Sequence, residues 1–117
     1  MNISDYLEQI KRQYPQIQPY EEEEDIEWWN QGLDMIHADR CDEAEEIFKK
    51  LVLAQPEHSD GFNGLGLVYE KRGDPTKAAI FFQEAITKAE QMVKDGYMDV
   101  ELLDRIRADL ARVHPTA

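Results

Sequence analysis

The chain has 117 residues, 42% of them hydrophobic, which suits one folded domain with a modest core and not a disordered segment. Its formal net charge of −12 argues against DNA, RNA and anionic membranes, which need a basic patch, and allows basic partners. No apolar run approaches the ~20 residues of a membrane span. The opening MNISDYLEQIKR lacks the order of a signal peptide, and the single Cys41 can close no internal disulfide, so a soluble cytoplasmic protein is expected.

Residues 1–20 read as a helix and a proline-containing linker. Ser4 or Asp5 can cap the helix, with Glu8 at about capping-box distance, and Tyr6, Leu7, Ile10 and Tyr14 form one apolar stripe. Pro15 and Pro19 then break the chain, so Tyr14–Tyr20 is expected to be extended. The acidic run Glu21–Asp25 sits at the start of the next helix, where negative charge meets the positive end of the helix dipole; its alternative use is as a docking site for a basic segment. Residues 25–38 form a helix, Asp39-Arg40-Cys41 a turn, and Asp42 with Glu45 makes a D-x-x-E capping box for a helix that stops near Ala54, before Pro56. Ser59 or Asp60 starts a helix to about Arg72. Gly73 is its C-terminal cap, Asp74 an N-cap, and Pro75 stands at the first position of a longer helix that runs to about Asp95 and is ended by Gly96. In residues 97–117, Asp99 caps a last helix. Leu102, Leu103, Ile106, Leu110 and Val113 lie on one face of it, and Asp104, Arg105, Arg107, Asp109 and Arg112 on the other.

One spacing occurs twice. Trp28, Gly32, Ala44, Phe48 and Pro56 set it, and Phe62, Gly66, Ala78 and Phe82 repeat its first four places further along the chain. Such a period, about 34 residues, marks stacked helix–turn–helix units. The pattern resembles the tetratricopeptide repeat, W-x2-L-G-x2-Y, then A-x3-F, then P. In the unit 25–58, Gln31, Met35 and Leu51 depart from it; in the unit 59–92, Phe62 stands for the Trp, Leu65, Gly66, Tyr69, Ala78, Phe82 and Ala85 match, and Glu90 replaces the Pro. The resemblance covers residues 25–92 and implies an all-α solenoid of helical hairpins, about six helices in all. Two units span residues 21–96 between the N-terminal helix and a C-terminal cap. Gly32, Ala44, Gly66 and Ala78 would let helices approach closely, with aromatics filling the layers between them.

The same resemblance implies that the first helix of each unit lines a concave groove. The first unit would offer Ile26, Trp29, Leu33, Ile36 and His37; the second Asp60, Asn63, Leu67, Glu70 and Lys71. Four of the first five are apolar. A helix apolar on two faces must bury both, so a partner's helix or peptide, the chain's own Tyr6–Tyr14 stripe, or a second copy should cover Trp29, Leu33 and Ile36. In the polar half, Asn63 can bond a peptide backbone, while Asp60 and Glu70 can pair with Lys or Arg. A carboxylate clamp of the kind some members carry is not expected, because Trp29, Leu33 and Gly64 stand where its Lys and Asn residues belong. The expected function is therefore binding of an amphipathic or peptide-like segment of another protein, as an adaptor, chaperone or assembly factor. The alternative is a self-associating module, such as a homodimer.

Neither an enzyme, a cofactor nor a metal is expected. His37 and Cys41 are four apart but separated by the turn. Neither His58 nor His114 has a nucleophile or paired carboxylate beside it in sequence, and Gly61, Gly64 and Gly66 lie along a helix and not after a strand.

Overall fold

A computed structural model describes residues 1–19 and 25–113, with Asp25 and Ile26 described by their backbone alone. The described residues hold six helices and no strand: α1 (Ile3–Gln13), α2 (Asp25–His37), α3 (Cys41–Ala54), α4 (Asp60–Lys71), α5 (Pro75–Lys94) and α6 (Val100–Val113). Four of the five acids of Glu21–Asp25, together with His114, lie outside the described residues. Each helix from α2 onward packs on the next, α2 also touches α4, and α1 rests on α3.

The helix ends follow local chemistry, with three departures from the sequence reading. Asn2, not Ser4 or Asp5, caps α1: its side-chain oxygen accepts from the Ser4 and Asp5 amides at 2.8 and 3.4 Å. Asp42 does not cap α3, which begins one residue earlier, at Cys41, with no side-chain bond at Arg40. Asp42 instead accepts from Arg72 Nη2 at 2.5 Å. Asp74 caps α5 through the Lys77 amide at 3.1 Å, and the residue at the matching place before α3 is Arg40, which has no carboxylate to cap with. Leu102 is 44% exposed, whereas Leu103, Ile106 and Val113 are buried. With the partly buried Leu110 they follow 3- and 4-residue steps along one stripe, and Leu102 lies about 100° around the helix from Leu103.

The turns that end α2 and α4 share one geometry, at corresponding places in the two units. The Asp39 and Arg40 amides donate to the Ile36 and Met35 carbonyls at 3.0 and 2.8 Å; the Gly73 and Asp74 amides donate to Glu70 and Tyr69 at 3.0 and 2.9 Å. Both turns need a left-handed residue, which is Gly73 at φ 80° in one and Asp39 at φ 62° in the other.

The core is organised by rings set against glycines. Phe48 of α3 is fully buried, and a Cβ on Gly32 of α2 or on Gly64 of α4 would come within 2.3 or 2.2 Å of its ring atoms, far inside van der Waals contact. Gly66 of α4 meets Phe82 of α5 at 2.5 Å in the same way, and Gly61 of α4 meets Val52 of α3 at 2.6 Å. Helix-interior glycine ordinarily costs about 1 kcal/mol relative to alanine. Here that cost is offset by the close approach that lets Phe48, Phe81, Phe82 and Leu65 leave the solvent entirely.

Two substitutions test these points. Gly64→Ala, which on an exposed helix would stabilise, is expected to destabilise by about 1–2 kcal/mol in urea unfolding because overpacking outweighs propensity. Phe48→Leu in the same chain should recover part of the loss, a non-additive pair. Asp39→Gly is expected to stabilise by about 0.5–1 kcal/mol in the same assay, by relieving a left-handed non-glycine residue.

Candidate interaction surface

Trp29 and Leu33 lie one turn apart on α2, with Ile36 in the next turn. Trp29 is half-buried, its ring tilted against Phe48 with centroids 5.7 Å apart. Leu33 is also half-buried against the core, and Ile36 is buried. Trp28 is equally half-buried, so the two tryptophans share the core contact that the repeat pattern assigns to Trp28 alone. On α4, Leu67 is half-buried and bridges the two apolar clusters of the core. His37 and Lys71 are exposed at the ends of α2 and α4. Ile26 falls in the first turn of α2, and its side chain is outside the described residues.

The polar half of the expected groove is already engaged. Asn63 Nδ2 donates to Asp109 Oδ2 of α6 at 3.1 Å. One guanidinium edge of Arg112 grips Glu70, Nε to Oε2 and Nη2 to Oε1 at 2.6 Å, while Nη1 donates to Asp109 Oδ1 at 2.8 Å. Asp60 faces His58, Oδ2 to Nδ1 at 3.5 Å. The groups offered to a ligand, Asn63 and Glu70, are thus taken by the charged face of α6. The sequence alone does not say which helix lies beside that face.

A second polar centre departs from the sequence reading. Glu45 of α3, expected as half of a capping box, accepts the Tyr6 phenol of α1 at 2.9 Å and the Tyr69 phenol of α4 at 2.6 Å on Oε2. Arg72 Nη1 reaches its Oε1 at 2.8 Å. Burial pushes the Glu45 carboxyl up, but the bonds from Tyr69, Arg72 and Tyr6, with Lys49 nearby, outweigh it and hold the group below its ordinary range. Burial, then Glu45 itself, pushes the Tyr69 phenol up to about 12 and Tyr6 higher still. The sequence carries one signal of this network: the counterpart of Glu45 in the second unit is Ala79, so the first unit carries a charge where the second carries a methyl group.

The stripe on α1 meets α3, α5 and, through Tyr6 beside Tyr69, α4. The Tyr6 ring stands edge-on to Phe81, centroids 4.9 Å apart at 71°, and Lys49 and Lys50 lie over the Tyr6 and Tyr14 rings. Among the described residues no group of three or more His, Cys, Asp and Glu is placed to hold a metal ion, and no helix is long and apolar enough to cross a membrane.

The Glu45 network predicts a pH dependence. Because the folded carboxyl titrates below its ordinary value, its stabilisation is present above the unfolded pKa near 4.5 and is lost as pH falls through the folded value. Glu45→Gln should therefore be less stable than the wild type at neutral pH. The gap between their urea midpoints should close on acidification below about pH 4.5. Comparison of the chain with family models, with curated proteins and with solved structures gives no match.

Proposed function

We propose that the chain is a protein-binding module of tetratricopeptide type that takes an apolar segment of a partner protein across α2 and α4. The observation that carries this reading is the incomplete burial of Trp29, Leu33 and Leu67 on two helices in mutual contact. Large apolar side chains whose edges stay accessible on adjacent helices are a common anchor for a helix or peptide laid into a groove. The recurrence of turn geometry and of glycine–phenylalanine contacts from one unit to the next supports the repeat reading. Since α6 holds Asn63 and Glu70, the expected ligand is anchored by its apolar residues. A basic residue on the ligand would meet the acidic field of a chain with net charge −12. In this reading the protein is a cytoplasmic adaptor, chaperone or assembly factor, and binding, not catalysis, is its work.

Both tryptophans, Trp28 and Trp29, lie on α2, so tryptophan emission reports on that helix. Immobilised wild-type protein should retain a partner from native lysate that a Leu33→Ser/Leu67→Ser variant of similar thermal stability loses. A peptide from that partner should shift the tryptophan emission of the wild type and bind the variant at least tenfold more weakly. Equal retention by both proteins would sink the proposal. So would a wild-type dimer in light scattering that the variant abolishes, since the face would then belong to a second copy.

A further inference from the structure

Exposed apolar surface is concentrated at one corner of the molecule. Met1 apart, the large apolar side chains that stand exposed among the described residues are Tyr97 at 81%, Val100 at 52% and Leu102 at 44%. All three fall in the turn from α5 to α6 and in the first turn of α6. Exposed apolar groups scattered singly need no explanation, but a group of them gathered at one place marks an interaction site.

The turn gives Tyr97 no part in holding the fold. Gly96 is left-handed at φ 82°, its amide donates to the Val93 carbonyl at 3.1 Å, and the Tyr97 amide donates to Met92 at 2.8 Å. The same bonding pattern ends α2 and α4. At the place of Tyr97 those two turns carry Arg40 and Asp74, each directly before the next helix. Here α6 begins only at Val100, so Tyr97 has no helix to cap. An apolar residue at this place commonly folds back onto the helix it leaves, which a side chain 81% exposed does not do. The backbone beneath it is nevertheless fixed, by its own amide bond and by Met98, which packs on the core. Tyr97 is thus held outward on an ordered support, and enclosing its ring would cost little backbone entropy.

Charge at the corner selects the occupant. Asp99 and Glu101 stand on either side of Val100 in sequence, both exposed, and neither carboxylate has a partner among the described residues. Asp95, which accepts from Gln91, and Asp104, which pairs with Arg107, add to the acidic character, and the acids of residues 94–105 outnumber Lys94 and Arg105. A second copy seated on this corner would bring like charges together. Three side chains also fall far short of the roughly 800 Å² that each partner buries in a stable dimer.

We propose that this corner is a docking anchor for a partner protein that presents an apolar pocket rimmed by lysine or arginine. Tyr97 and Val100 enter the pocket, and Asp99 and Glu101 pair with its rim. An aromatic side chain enclosed in a pocket carries most of the affinity of such a contact, while the rim charges govern association rate and salt dependence. The corner shares no residue with the α2–α4 face, and the proposal is independent of binding there.

The test uses the full chain carrying the photo-cross-linker p-benzoylphenylalanine at position 97, irradiated in native lysate. The expected adduct is with another protein, at a segment that contains lysine or arginine. The purified partner should bind Tyr97→Ser/Val100→Ser and Asp99→Lys/Glu101→Lys chains at least tenfold more weakly than the wild type. Exchanging the partner's basic residues at the cross-linked segment for glutamate should restore binding to the second variant. Leu33→Ser/Leu67→Ser should leave the affinity unchanged. Absence of a protein adduct, or an adduct with a second copy of the chain, would overturn the proposal. So would a partner indifferent to charge reversal at residues 99 and 101. A Tyr97→Ser/Val100→Ser chain that melts well below the wild type would also count against it, because those side chains would then serve the fold.

Discussion

Phe48 sits where α2, α3 and α4 converge, and it reaches full burial because neither Gly32 nor Gly64 places a Cβ against its ring. A phenyl group removed from water contributes about 2–3 kcal/mol. A methyl group at either glycine would displace the ring or push a helix away. The arrangement of the first three helices of the unit region thus rests on two absent side chains. Gly66 with Phe82 repeats the device between α4 and α5, and Gly61 against Val52 tightens α3 on α4. The contact of α2 with α4, which brings the Trp29–Leu33 face and Leu67 onto neighbouring helices, follows from this approach.

Charge acts at a second level. Ion pairs exposed at both partners, such as Lys11–Glu8 and Arg107–Asp104, contribute little to stability. Glu45 differs because it is largely enclosed and joins three helices through two phenols and a guanidinium. Arg112 plays a more exposed version of this part between α6 and α4, where its bond to Glu70 orients the last helix and closes the polar half of the α4 face.

The molecule therefore offers two faces of different character. The α2–α4 face carries Trp29, Leu33 and Leu67, which pack on the core and keep part of their surface accessible. The α3–α5 face is covered, but by a short helix whose polar anchor is one of several that satisfy the same carboxylate.

Local signals settled much of the architecture. The Gly73-Asp74-Pro75 punctuation, the longer α5 and the 3-and-4 spacing of Leu103, Ile106, Leu110 and Val113 depend on neighbours within one or two turns, and the chain states them directly. So does the all-helical character, because small and aromatic residues that recur at this period leave few other ways to bury them. What depended on tertiary structure was the choice among partners of similar chemistry. Glu45 had a capping role on offer beside Asp42 and a network on offer from Tyr6 and Tyr69, which are distant in sequence. Asn63 and Glu70 suited a ligand as well as they suited Asp109 and Arg112, and the Tyr6–Ile10–Tyr14 stripe fitted α2 on paper as well as α3 and α5. Hydrogen bonds and apolar contacts are short-ranged and chemically undiscriminating. Composition and spacing can therefore state that such groups need partners, while only the packing of distant helices decides which partner lies within reach.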